Sequence, residues 1–344
     1  MLPWLRQIDE SRIYSNFGPL SQTLADRVAA HFGLGSGRVL PLANATLGLT
    51  AALMAVCGQP GQYCAIPAFT FVASAHAAVA AGLKPWLLDV DERSWQLTPQ
   101  AVEKALADAP GKVGAVMPVC PFGQPVDWAA WADFRKRTGI AVVIDAAAAF
   151  DGLRASKLPA IVSLHATKAL GSGEGGLLVC DDPRLVTEIR RRINFGFLGT
   201  RTATVSAINA KMSEYHAAIG LASLAEWPAT RAQFAQVQSG LRQRLEAGGL
   251  PCPDGMGREW VSSTFCLRLP GSAAAVADKL AARGIETRRW WSDGLHRHPA
   301  FADCAKTALP VTDMLASQVL GLPCHVDLGD VTIAHVAEQV LALR

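Results

Sequence analysis

The sequence predicts an α/β protein with a mostly parallel sheet covered by helices on both faces, followed by a smaller second domain. Three observations carry this. Over residues 39–180 short apolar runs alternate with amphipathic or alanine-rich stretches, as in strand–helix–strand units whose sheet is buried on both sides. The chain has 344 residues, too many for one small core, and half are hydrophobic against 18% charged, so disorder is excluded and a large buried core is expected. Beyond Gly248 the pattern shifts to shorter strands and helices.

The candidate strands are Tyr63–Ile66, Pro85–Leu88, Val113–Pro118, Ala141–Asp145, Ile161–Leu164 and Gly176–Val179. Helical stretches lie between several of them, at Leu47–Val56, Val72–Ala81, Pro99–Leu106 and Trp128–Arg137. Cys64 to Leu83 carries no charge and approaches membrane-spanning length. Its Pro67, Thr70, Ser74 and His76, in an alanine-rich setting, fit a buried strand, turn and helix better. Pro183–Arg192 reads as a helix and Phe195–Ser206 as an exposed loop. A long helical pattern from Met212 to Glu226 is expected to stop near Pro228, since proline lacks the N–H a helix needs, and to resume from Arg231 to Ala247. Ser263–Leu269, Ala273–Arg283 and Ala334–Leu343 complete the pattern. The domain boundary is placed near residue 235, giving a large domain over 1–235 and a small one over 236–344, against which roughly the first 20 residues are free to pack.

Several function classes drop out. The net charge of +3 is spread along the chain, so no footprint for nucleic acid stands out. Arg190, Arg191 and Arg192 end a helical pattern, where cations suit the helix dipole. Arg288-Arg289-Trp290-Trp291 could meet a ligand or simply form an aromatic edge with solvated arginines. Eight cysteines are scattered without C-x-x-C spacing. His296 and His298 with Cys304 lack a fourth ligand, so no metal is expected. Residues 1–12 carry charges and no apolar run, so no secretory signal and no membrane partner are expected, and the cysteines read as reduced ones in a cytoplasmic enzyme.

Four segments carry chemistry. Lys168 follows an apolar strand and precedes the turn Gly171-Ser-Gly-Glu-Gly-Gly176, a poor place for a merely solubilising charge. A desolvated lysine amine can attack a carbonyl carbon, and Ser163 could offer its hydroxyl to an anion. Asp145 ends the strand Ala141-Val-Val-Ile and is followed by small residues. It suits a carboxylate placed against the ring nitrogen of pyridoxal phosphate, or equally a helix cap. Asn44-Ala45-Thr46 opens a helix whose free N–H groups could hold a phosphate, and an ordinary cap has the same look. Phe71, after Pro67-Ala-Phe-Thr, could lay its ring on a cofactor or belong to the core.

Taken in order, these segments resemble the DegT/DnrJ/EryC1/StrS sugar aminotransferases. The resemblance runs from Ser15-Asn-Phe-Gly-Pro19 nearly to the C-terminus. It includes Asn44-Ala-Thr46, Pro67-Ala-Phe-Thr-Phe71, Asp89-Val-Asp91, Pro118-Val-Cys-Pro-Phe-Gly-Gln-Pro-Val-Asp127, Ile144-Asp-Ala-Ala147, Ser163 to Gly176, Asn194-Phe-Gly196, Asn209-Ala-Lys-Met-Ser-Glu214 and Leu322-Pro-Cys-His325. It implies the aspartate-aminotransferase-like fold, fold type I, of pyridoxal-phosphate enzymes. Lys168 would form the Schiff base and shuttle the proton, and Asp145 would pair with the pyridinium nitrogen. Phe71 would stack on the ring; Ala45, Thr46 and Ser163 would hold the phosphate. Asn209 would reach the phosphate of a neighbouring subunit, which implies a homodimer with shared sites. The implied reaction moves an amino group, from L-glutamate, to a keto carbon of a nucleotide-linked deoxysugar. The Ser163-Leu-His-Ala-Thr-Lys168 and Asn194-Phe-Gly196 versions look like the branch making 4-amino-4,6-dideoxyglucose nucleotides, with dTDP-4-keto-6-deoxyglucose as acceptor.

The chain departs from the family at three places. Ala148 stands where a glutamine near the cofactor's phenolic oxygen is usual, Ala45 where glycine is usual, and Cys120 where histidine is frequent. Three other readings stay in view: a class V desulfurase or lyase, a sugar dehydratase, and a non-catalytic regulator. A desulfurase needs a mobile cysteine, and none sits in an evident glycine-rich loop. Dehydratases of the family lack the lysine, and an intact Lys168 and Asp145 sit poorly with an idle site.

Overall fold

The computed structural model describes residues 1–57, 59–291 and 293–344. Its centre is a mixed sheet built from strands β1 (Val39–Leu42), β2 (Tyr63–Pro67), β3 (Lys84–Leu88), β4 (Val113–Val116), β5 (Ala141–Val142), β6 (Ile144–Asp145), β7 (Ala160–Ser163) and β8 (Gly176–Val179). One part runs β1-β8-β7-β6, with β8 antiparallel to both neighbours and β6 parallel to β7. The other runs β3-β2-β4-β5 and is parallel throughout. The two parts meet where Asp145 N–H donates to the Pro118 carbonyl at 2.9 Å and Val119 bridges Asp145. The single stretch expected over Ala141–Asp145 is thus two short strands flanking Val143, whose N–H still reaches Val116.

Side chains alternate across this sheet, as strand geometry requires. On β2, Ala65 faces one apolar core while Cys64 and Ile66 face another. The first core is covered by α2 (Pro19–His31), α5 (Pro99–Ala105), α6 (Trp128–Thr138) and the start of α8 (Glu214–Ala247). Ile8 of α1 (Leu2–Ser11) is buried in it as well. The second is covered by α3 (Ala45–Val56), α4 (Val72–Ala80) and α7 (Pro183–Arg192). The charge-free stretch from Cys64 is a strand, turn and helix. Among the described residues no helix is long and apolar enough to cross a membrane.

One expectation fails. Helix α8 runs unbroken from Glu214 to Ala247 with Pro228 inside it. Proline removes one backbone bond, but α8 buries Trp227, Phe234, Val237 and Leu241 on either side of that point. Burial of this apolar stripe outweighs the lost bond.

A third core gathers the later half of α8 with β9 (Phe265–Arg268), α9 (Ala273–Ala281), β11 (Val319–Leu322) and α11 (Asp330–Leu343). Between these, β10 (Ala305–Lys306) returns to pair in parallel with β3, and α10 (Pro310–Gln318) begins against Asp89. Asp89 accepts the N–H groups of Val311 and Thr312 at 2.9 and 2.8 Å and the Thr312 hydroxyl at 2.7 Å. Segments from the end of the chain are thereby fixed against the mouth of the central sheet.

Candidate active site

The carboxyl ends of parallel strands leave a crevice where ligands bind in α/β folds. Here that crevice is a cavity of about 880 Å³. Six of the seven residues singled out from sequence line it: Ala45, Thr46, Phe71, Asp145, Ser163 and Lys168. Asn209 does not. It is exposed, pairs across the backbone with Asn194, and its Oδ1 accepts a 2.6 Å hydrogen bond from Lys211 Nζ.

Asp145 is only 5% exposed at the end of β6. Its Oδ2 accepts the Ser74 hydroxyl at 2.7 Å and its Oδ1 the Ala147 N–H at 3.1 Å. Burial pushes its pKa up, against the pull of Ser74, Ala147 and Lys168. Lys168 sits half-buried in the turn after β7, where its N–H donates to the His165 carbonyl. Burial lowers its ammonium pKa, partly offset by the charge of Asp145. In both groups desolvation outweighs mutual attraction, so each is drawn toward its neutral form. No described residue takes a hydrogen bond from Lys168 Nζ. An amine drawn to its neutral form, with a free lone pair and facing a cavity, is a nucleophile and a proton carrier.

The phosphate end is set by α3. Asn44 caps it, with its side chain accepting the Leu47 N–H at 2.9 Å. The helix therefore starts at Ala45, two residues earlier than periodicity suggested. The N–H groups of Ala45 and Thr46 belong to the first turn and have no helical partner, and none of the described backbone carbonyls takes them. With the Thr46 and Ser163 hydroxyls on the same cavity wall, they make an anion seat aligned with the helix dipole. The chain approaches closely here: a Cβ on Gly176 would lie 2.9 Å from the Ala45 nitrogen.

Phe71 stands 56% exposed beside this seat, its ring uncovered on the cavity side. The opposite wall comes from the end of the chain: Ser263, Thr264, Trp290 and Trp291. Trp291 stacks on Phe122 with centroids 4.0 Å apart, and both meet Phe69 edge-on. Phe122 holds a left-handed conformation (φ 53°), and Gly123 follows at φ 104° with no room for a Cβ beside Ser262 and the Ala148 carbonyl. Of the basic–aromatic segment, the two tryptophans thus reach the cavity. The Arg289 guanidinium instead engages Asp293 and the Ala316 carbonyl, and Arg288 pairs its backbone with Gly321.

Sequence reasoning missed Thr70, Ser74, Ser263 and Thr264. The first two are hydroxyls in an alanine-rich turn and helix, with no local signal to set them apart from caps. Ala148 and Cys120, two of the departures noted above, both line the cavity. Cys120 is the one thiol among its described lining residues, and burial pushes its pKa up to about 12, which leaves it unreactive. His296 Nε2 donates to Asp313 Oδ1 at 2.8 Å, and His296 does not line this cavity.

Comparison with known proteins agrees with this geometry. Residues 2–341 match the profile of the DegT/DnrJ/EryC1/StrS aminotransferase family. The chain is 32% identical to protein Rv3402c of Mycobacterium tuberculosis over 97% of its own length and 84% of that protein's. It is 28% identical to the dTDP-4-amino-4,6-dideoxy-D-glucose transaminase of Shigella dysenteriae, covering 100% of this chain and 95% of the transaminase. The crystal structure of DesI in the presence of its TDP-sugar product superimposes with a TM-score of 0.88 at 30% identity, over 99% of this chain and 88% of that one.

Proposed function

The chain belongs to the DegT/DnrJ/EryC1/StrS aminotransferase family and has the type I fold of pyridoxal-phosphate transferases, and from that premise we propose that it moves an amino group from L-glutamate to the keto carbon of a nucleotide-linked deoxysugar. The acceptor this reading favours is dTDP-4-keto-6-deoxyglucose, on the strength of the Shigella transaminase and the DesI product complex. The single observation that carries it is Lys168 and Asp145 facing one cavity that ends on the open N-terminus of α3.

The cofactor is pyridoxal phosphate. The residues present fit it: an anion seat, a buried carboxylate, an uncovered aromatic ring and an unpaired amine share one space. When bound, the cofactor supplies an electron sink for the charge left on carbon when a proton is removed. Asp145, as a carboxylate facing the positive ring nitrogen, would oppose loss of the proton there. The N–H groups of Ala45 and Thr46, with the hydroxyls of Thr46 and Ser163, bind phosphate. Phe71 covers one face and excludes water there. Lys168 Nζ would anchor the cofactor and would take and return the proton. Burial of Lys168 serves this step, because only the neutral amine can accept a proton. A desulfurase would need a reactive thiol in the cavity, and Cys120 is held protonated.

The reading includes a homodimer with shared sites. Asn209 stands exposed outside its own cavity, on a surface that also presents Phe195 and Leu198 at 48% and 51% exposure. That is a fitting place for a residue that serves a neighbour's phosphate. It also assigns residues 1–235 to cofactor binding and 236–344 to a smaller unit that supplies the tryptophan wall.

Borohydride reduction of cofactor-saturated protein, followed by peptide mass mapping, tests the reading directly. Position 168 is expected to carry the reduced cofactor, and an unmodified Lys168 overturns it. An absorbance band that shifts on adding L-glutamate supports the donor. Assay of a panel of keto-sugar nucleotides then identifies the acceptor.

A further inference from the structure

We propose that Thr70 and Ser74 form a directed chain of hydroxyls that positions Asp145 and holds it as an acceptor for the cofactor's ring nitrogen, an inference that rests on the role given to Asp145 above. The contacts are buried. Ser74 Oγ lies 2.7 Å from Asp145 Oδ2 and 3.1 Å from Thr70 Oγ1. Ser74 is 0% exposed, Thr70 2% and Asp145 5%.

The direction follows from counting protons. A hydroxyl has one proton to give and lone pairs to receive. Ser74 gives its proton to the carboxylate, so its contact with Thr70 must run the other way, with Thr70 donating. Each hydroxyl bond along such a chain polarises the next. Ser74 is therefore a stronger donor to Asp145 than an isolated serine would be.

Ser74 forgoes an ordinary local role to do this. Helix α4 begins at Val72, and Phe71 at its N-cap position makes no side-chain cap. Ser74, in the first turn, is placed to donate back to the carbonyl four residues earlier. Ser74 points instead to a carboxylate far away in sequence, and Thr70, on the cavity wall, points to Ser74. Ser74 does not line the cavity, so its hydroxyl reaches a bound cofactor only through Asp145. It is a positioning residue.

Asp145 Oδ2 has no other donor among the described residues. The titratable groups facing Asp145 are Lys168 and Cys120, and Cys120 stays neutral. Without the hydroxyl, one of the contacts that pull the carboxyl's pKa down is lost and burial raises it further, which weakens its hold on a proton at the ring nitrogen opposite.

The test uses full-length protein loaded with pyridoxal phosphate labelled with ¹⁵N in the ring. The ring-nitrogen chemical shift is followed against pH for wild type, Ser74→Ala, Thr70→Val and Thr70→Ser, with thermal unfolding as a check on folding. Ser74→Ala is expected to lower the midpoint of ring-nitrogen deprotonation by about one pH unit, a tenfold loss of proton affinity. Thr70→Val should move it the same way by less, and Thr70→Ser should restore it. Should Ser74→Ala fail to fold, the pair Thr70→Val and Thr70→Ser decides. Unmoved midpoints in folded, loaded variants overturn the chain of hydroxyls alone. A wild-type protein that takes up no cofactor overturns the parent reading instead.

Discussion

Two buried carboxylates sit at opposite ends of this molecule's purposes. Glu214, at the start of α8, is wholly buried, and its oxygens accept the N–H groups of Leu20 and Ser21 at 2.7 and 2.9 Å. These are first-turn donors of α2, so the charge is matched by a helix N-terminus. The neighbouring Gly18 is needed there, because a Cβ would lie 2.6 Å from the Glu214 carboxyl carbon. Asp145 has one hydroxyl and one amide, and faces an unpaired amine across a cavity. Burial is common to both and so says nothing about function. What separates them is completeness: Glu214 is closed on all sides by its own fold, while Asp145 keeps an open side toward a second perturbed group.

The largest effect should come from the partner of the open carboxylate. Lys168→Ala is expected to cut turnover by about four orders of magnitude, measured as glutamate-dependent amination of the keto-sugar nucleotide. Its cofactor-free thermal stability should hold or rise, because a desolvated amine is removed. Turnover within tenfold of wild type would break the contrast at its functional end. Glu214→Ala should do the reverse. Stripping two helix N–H groups of a buried charge partner is expected to cost about 3 kcal/mol in urea unfolding, with cofactor affinity per folded molecule unchanged.

A smaller effect separates the two through pH. Burial raises the folded pKa of Asp145 above its ordinary value of 3.8. The native protein then holds this proton longer than the unfolded chain does. The stability contributed is complete below the ordinary value and is lost as pH rises through the folded one. Lys168 runs oppositely: its folded pKa lies below 10.5, so its contribution is present above that value and lost as pH falls through the folded one. In cofactor-free protein, Asp145→Asn should therefore remove a decline in urea midpoint between acid and neutral pH. A decline of the same size in the variant would reassign it to other carboxyls.

Much of this site could be read before folding, and the reason is geometric. Lys168, Asp145, Ser163 and Thr46 each follow or end a short apolar strand, and parallel strands deliver such residues to one edge. What stayed hidden depends on distant contacts. Ser74 looks like any serine in an alanine-rich helix until Asp145 is brought beside it. Ser263 and Thr264 join a wall opposite Lys168 only because the end of the chain folds back against β3. Pro228 was misread because a local rule met a helix held by tertiary packing on both sides.

Asp151 gives the comparison its finest test, because it holds the chain at Val261, just before a cavity wall, yet satisfies the closed pattern. Its side chain is 8% exposed, with Oδ1 accepting Arg231 Nε at 2.8 Å and Oδ2 the Val261 N–H at 3.0 Å. Both oxygens are engaged, as in Asp145, but Asp151 does not line the cavity, so it belongs with Glu214 and not with Asp145, although it braces the segment that leads to Ser263 and Thr264. Arg231 is 36% exposed, so solvent screens the pair, and Arg231→Met should cost about 0.5–1 kcal/mol in urea unfolding. The Val261 bond remains, and the wall should stay in place. Cofactor affinity measured by equilibrium dialysis is expected to be unchanged. A clear loss of affinity at so small a cost in stability would mean that a closed carboxylate can still tune the site, and that completeness alone does not divide structure from function here.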